Sequence, residues 1–86
     1  MSDPANPSPA IAVATPEALG QAMRSARKQL GLTQPKLALA AGVGVRFVVD
    51  LEAGKPTVRL ESVLRVLHAL GGSLSIDGLP TSGEGD

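Results

Sequence analysis

The chain has no cysteine, no tryptophan and no tyrosine, and only one phenylalanine and one histidine among its 86 residues. Without cysteine there is neither a disulfide framework nor a zinc finger. His68 stands alone, with no second ligand-type residue at metal spacing, so a surface imidazole is expected rather than a metal site. No run of 18 apolar residues occurs, which excludes a membrane-spanning helix, and the N-terminus lacks the charged-then-apolar pattern of a signal peptide. These absences fit a bacterial cytosol. An enzyme is the least expected class: there is no cysteine, one histidine, no paired carboxylate and no phosphate-binding loop, and no cofactor is implied. One small domain is expected, with a core modest enough that burial between subunits would help it.

A net charge of +0 conceals a segregation of charge. All eight basic residues (Arg24, Arg27, Lys28, Lys36, Arg46, Lys55, Arg59, Arg65) lie between Leu19 and Leu70, and that span holds only three acids, Asp50, Glu52 and Glu61, for a balance of +5. The other five acids lie outside it. A basic unit between acidic ends suits a nucleic-acid partner and a place at the nucleoid, better than it suits charge scattered for solubility.

Residues 1–14 are rich in Pro, Ala and Ser, and a disordered tail is expected there. A domain should occupy 15–71, a short strand 72–78 and a flexible tail 79–86. The first helix should begin at Thr15 as N-cap with Pro16 at the first helical position, carry an apolar stripe of Leu19, Met23, Ala26 and Leu30, and stop at Gly31. Gly31 to Gly54 then reads as two short helices joined by a tight turn. Thr33 caps the first, which runs from Gln34 to about Ala41 and ends at Gly42; the second runs from about Gly44 to near Ala53 and ends at Gly54. Such a pair is a helix-turn-helix. Leu37, Ala38 and Ala41 share one side of the first, and Val43 plugs the turn. In the second, Phe47, Val48 and Leu51 share a face with Glu52 at its edge, which leaves Val45, Arg46, Val49 and Asp50 opposite. Two outward valines do nothing for solubility but would suit a DNA groove.

After Gly54, Thr57 is a candidate cap for a fourth helix whose stripe (Leu60, Val63, Leu64, Val66, Leu67, Leu70) is wider than one core needs, which suggests a partner subunit. Gly71-Gly72 breaks that helix, and Ser73–Asp77 alternates as a short strand that cannot be stable alone.

The pattern TQ-x-x-LA-x-x-x-GV followed by LE-x-GK resembles the Cro/repressor (XRE-type) helix-turn-helix family over Leu19 to Leu70. The longer run through GKPT and VLRVL-x-ALG is similar to HipB-like antitoxins. The resemblance implies a mainly α fold, a compact four-helix lambda-repressor-like domain whose short C-terminal strand pairs across a homodimer. It also implies an ion pair between Arg27 and Glu52, and a phosphate contact and buttressing role for Gln34. The alternative for Arg27 is a side chain that merely snorkels.

Expected DNA contacts are Thr33, Gln34, Lys36, Gly44, Val45, Arg46, Val49, Asp50, Lys55 and Arg59. Lys36 replaces the family's usual carboxylate, a cost to the helix dipole and a gain toward phosphate. Gly44 replaces a capping hydroxyl. Val45 and Val49 can touch thymine methyls, Arg46 is the candidate for a bidentate guanine contact, and Asp50 either pairs with Arg46 or accepts from a cytosine amino group. Expected dimer contacts are Val66, Leu70, Leu74 and Ile76. The leading reading is a repressor that is the antitoxin of a type II toxin–antitoxin pair, binding an inverted-repeat operator in double-stranded DNA and a HipA-like kinase toxin. A stand-alone phage-type regulator and a protein-binding adaptor built on the same fold stay open.

Overall fold

In a computed structural model, residues 10–80 are described and four helices account for their order: α1 (Pro16–Gln29), α2 (Gln34–Ala41), α3 (Val45–Glu52) and α4 (Leu60–Ala69). Cap chemistry explains where α1 and α2 begin. Thr15 is extended and its hydroxyl accepts from the Ala18 amide at 3.0 Å, with Pro16 in the first turn, where no amide is needed. Thr33 does the same for α2, accepting from Lys36 N–H at 3.2 Å. Gly44 precedes α3 and offers no side-chain cap.

The helices close by left-handed turns. At the end of α2, Gly42 has φ +72°, and the Val43 amide folds back to the Ala38 carbonyl at 3.0 Å. This turn swings the chain into α3 and sets Val43 against the core. After α1 the same geometry at Gly31 carries Leu32 inward, its amide donating to the Arg27 carbonyl at 3.1 Å. Leu32 therefore packs where the stripe on the sequence had placed Leu30, and Leu30 is exposed.

α2 packs on α3 and α4, and α1 packs on α3, so one core forms where the four meet. Its fully buried members include Leu37, Val48, Leu51 and Val66, with Met23, Ala38, Ala41 and Val63 beside them. Each buried leucine or valine contributes about 1.5–3 kcal/mol relative to exposure. Phe47 is partly buried against this cluster. Gly20 lies where α1 crosses α3 most closely: a Cβ there would stand 2.4 Å from the Leu51 carbonyl oxygen.

Three expectations fail. Arg59, not Thr57, is the N-cap of α4, and no side chain caps it. Val66, expected at a subunit interface, is fully buried within its own chain because α4 lies against α2; Leu60 is the member of the stripe left exposed. Leu70 is only half-buried. Lastly, residues 72–77 have no regular structure, and among the described residues no strand occurs. The expected tails, 1–14 and 79–86, fall mostly outside the described residues; Ala10–Ala14 is exposed and has no regular structure. No helix among the described residues is long and apolar enough to cross a membrane.

Candidate nucleic-acid interface

The site is built around α3, which is held from behind. Arg27 reaches from α1 to the far end of α3, where its Nε donates to Glu52 Oε2 at 2.6 Å and Nη2 donates to Oε1 at 3.0 Å. The remaining terminal nitrogen, Nη1, donates to the Leu32 carbonyl at 2.7 Å, so one guanidinium ties α1, the α1–α2 connection and α3 together. Both side chains are withdrawn from water, with exposures of 10% and 3%. The hydrogen bonding to Glu52 holds the Arg27 pKa above the ordinary arginine value against the opposing effect of burial, and the attraction of the carboxylate adds to it. Gln34, in the first turn of α2, donates from Nε2 to the same Glu52 Oε1 at 3.1 Å. Its amide thus buttresses α3, and the second N–H of that NH₂ group remains available to a phosphate. No buried side-chain nitrogen or oxygen among the described residues lacks a partner.

The other face of α3 is open. Val45 is 43% exposed, and the Arg46 side chain is 84% exposed. Val49 and Asp50 are half-buried at its flank. Arg46 Nε lies 3.3 Å from Asp50 Oδ1, one helical turn on, so of the two roles the sequence allowed, Asp50 adopts the intrahelical pair in the free chain. Lys55 Nζ lies 3.6 Å from Asp50 Oδ2. That contact was not legible in the sequence, because it depends on the turn at Gly54. Arg59 and Arg65 share Glu61, at 3.6 Å and 3.4 Å. Arg65, which is not among the expected DNA contacts, lies close beside the α2–α3 turn: a Cβ on Gly42 would meet its Nη1 at 3.7 Å. Its only sequence signal is the spacing Glu61–Arg65. No carboxylate among the described residues stands within 4 Å of Lys36, an exposed cation in the first turn of α2. His68 is exposed, and no cluster of metal-ligand side chains occurs among the described residues.

A short helix braced from behind and presenting arginine and valine outward, beside a capped helix start carrying a lysine, has the layout of a major-groove reader. Comparison with known proteins agrees. A helix-turn-helix family model matches residues 23–76. The chain belongs to the helix-turn-helix family of the Cro/repressor (XRE) type, a family of DNA-binding transcription regulators. A curated relative, the uncharacterized HTH-type transcriptional regulator y4mF of Sinorhizobium fredii, is 52% identical over 64 residues, 74% of this chain and 84% of that one.

Among solved structures, a chain of a HipA–HipB–O2–O3 complex superposes with a TM-score of 0.74 over 81% of this chain and 99% of its own, at 24% identity, a likeness of fold. The clp gene regulator ClgR of Corynebacterium glutamicum gives 0.62 at 42% identity, over 69% of this chain and 76% of that one. A toxin–antitoxin module from Streptococcus pneumoniae gives 0.64 at 32% identity, over 76% and 71%.

Proposed function

We propose that this regulator is a homodimeric repressor that reads an inverted-repeat operator through α3, and that it is the antitoxin of a type II toxin–antitoxin pair whose toxin is a HipA-like kinase. The observation that carries the DNA reading is the contrast across α3: Arg46 is 84% exposed on one side, while Glu52, on the other, is 3% exposed and fastened to α1 and α2. A rigid helix with one strong hydrogen-bonding reader fits a major groove. Thr33, Gln34, Lys36, Gly44, Lys55 and Arg59 then serve the phosphates, and Val45 and Val49 the thymine methyls.

Dimerisation is supported by two segments that lie outside the helices. Ala10–Ala14 and Leu74–Asp77 line one groove, where Ile11, Val13, Leu74 and Ile76 are 68%, 42%, 59% and 69% exposed. Apolar side chains on backbone without partners call for a second copy. Two copies related by a two-fold axis would place their α3 helices in successive major grooves about 34 Å apart.

The direct test is a fluorescence titration against duplexes selected from a random pool. Tight binding to an inverted repeat is expected, with Arg46→Ala weakening it by about 1–3 kcal/mol and relaxing one base per half-site. Leu74→Asp with Ile76→Asp should leave folded monomers in sedimentation. A parent protein monomeric at high micromolar concentration would end the dimer reading. The antitoxin role draws support from the neighbouring toxin–antitoxin module and HipB fold; the likeness to ClgR favours a stand-alone regulator instead. Purification from the host separates them: a kinase co-purifying at equal stoichiometry supports the antitoxin, and the chain recovered alone supports the stand-alone regulator. A folded dimer that binds no duplex at low salt is an adaptor.

A further inference from the structure

We infer that Asp50 is a positioning residue for base readout: its carboxylate fastens Arg46 and Lys55 in the free chain, so that Arg46 meets a base in a fixed attitude and Lys55 gives its phosphate contact only where the docked register brings a phosphate to it. This rests on the DNA-binding reading above.

Helix stability does not explain Asp50. A carboxylate in the last turn of a helix faces the negative end of the helix dipole, which is the wrong end for it. Nor does pair energy explain it, because ion pairs as exposed as Arg46 and Lys55 contribute little. What the geometry does is direct two cations. Asp50 Oδ1 takes Arg46 at Nε, 3.3 Å away, so both terminal nitrogens of the guanidinium remain to donate. Those two nitrogens are the pair of donors that guanine O6 and N7 accept.

Lys55 is brought to the same carboxylate by its main chain. Gly54 adopts φ +86°, its amide donates to the Leu51 carbonyl at 3.1 Å, and the Lys55 amide donates to the Asp50 carbonyl at 3.0 Å. The turn thus fastens Lys55 by its backbone to the residue whose carboxylate its ammonium meets at 3.6 Å. Asp50 also sets a negative charge beside Arg46, which penalises phosphate near that point of the helix. A guanine in the right place restores that loss through two hydrogen bonds; a random sequence does not. The consequence is selectivity obtained by weakening non-specific binding.

The experiment compares the full-length parent with Asp50→Asn and Lys55→Gln in titrations over a salt series, on a duplex selected with the parent and on a random duplex. Thermal unfolding verifies that each variant is folded. For Asp50→Asn the random duplex should bind about tenfold tighter, with a salt slope steeper by about 1–2 as the released cations find phosphates. The ratio of selected to random affinity should fall by about tenfold. Lys55→Gln should keep most of that ratio, because Arg46 remains held. A purely structural role for Asp50 would not steepen the salt slope. Loss of affinity for the selected duplex alone would make Asp50 a base reader and overturn the inference, as would a variant indistinguishable from the parent. Failure of the parent to bind any duplex is a different result: it removes the DNA reading itself, and this inference with it.

Discussion

Two carboxylates two residues apart on α3 meet opposite fates. Glu52 is 3% exposed, holds Arg27 by two hydrogen bonds and takes a third from Gln34. Asp50 is 20% exposed and meets Arg46 and Lys55 at longer range, both partners largely in water. Position on the helix decides this, since two residues turn a side chain through roughly 200° at 3.6 residues per turn. The inward carboxylate is a bolt, and its removal strands a buried cation. The outward one has water to replace either partner and contributes little to folding. Identical chemistry therefore serves architecture on one face and, in the function proposed above, recognition on the other.

The sharpest way to break this comparison is to neutralise each carboxylate in turn. Glu52→Gln or Arg27→Met should destabilise the fold by about 3–5 kcal/mol, a large part of the stability of a domain this size, and a double-mutant cycle on thermal unfolding should show strong coupling. Asp50→Asn should shift stability by less than about 1 kcal/mol. Equal costs for the two, or a coupling near zero for Arg27 and Glu52, would collapse the distinction. The pH dependence has a definite sign. Arg27 is raised in the folded state, so its contribution is complete below the ordinary arginine range and is lost only as pH rises through the raised value. Melting temperature up to pH ~9 should therefore show no loss traceable to Arg27.

Two glycines come next in size. Gly20→Ala would set a Cβ 2.4 Å from the Leu51 carbonyl oxygen and 2.8 Å from that of Glu52, both main-chain atoms that cannot rotate away. α1 must then lift from α3, at a cost of about 1–3 kcal/mol in chemical denaturation. Gly54→Ala combines φ +86° with a Cβ 3.0 Å from Glu17 Cα. A cost of about 1–2 kcal/mol is expected from the left-handed backbone. Because this turn carries Lys55 to Asp50, the variant should also shift the salt slope on random DNA, which Gly20→Ala should not.

Much of this was legible in the sequence because it is written in short-range chemistry. Thr15 and Thr33 as caps, Gly42 and Gly54 as terminators, and the division of α3 into an inner and an outer face all follow from spacing and backbone geometry. What escaped depends on where the chain goes after a turn. The reversal at Gly31 substitutes Leu32 for Leu30 in the core, and periodicity along a helix says nothing about the residue beyond its end. Val66 was misplaced because a wide stripe does not reveal which part of it faces α2. The Asp50–Lys55 contact required the φ of Gly54. α4 begins at Leu60 with no side-chain cap, so no capping residue marks its start in the sequence.

The smallest effect concerns Lys36, which differs from Arg46 in having no carboxylate within 4 Å among the described residues. A cation in the first turn opposes the helix dipole, so Lys36→Ala should stabilise the fold by a few tenths of a kcal/mol. If the unpaired lysine serves phosphate alone, the same change should weaken binding to selected and random duplexes by equal factors and lower both salt slopes by about one. If Arg46 reads a guanine as proposed, Arg46→Ala should instead reduce discrimination between the duplexes, because the hydrogen bonds to that base are lost. The two variants measured side by side separate a cation that positions the protein from one that reads the sequence. Should Lys36→Ala change the ratio of selected to random affinity as much as Arg46→Ala does, the division of labour between α2 and α3 is wrong, and the start of α2 must reach the base edges as well.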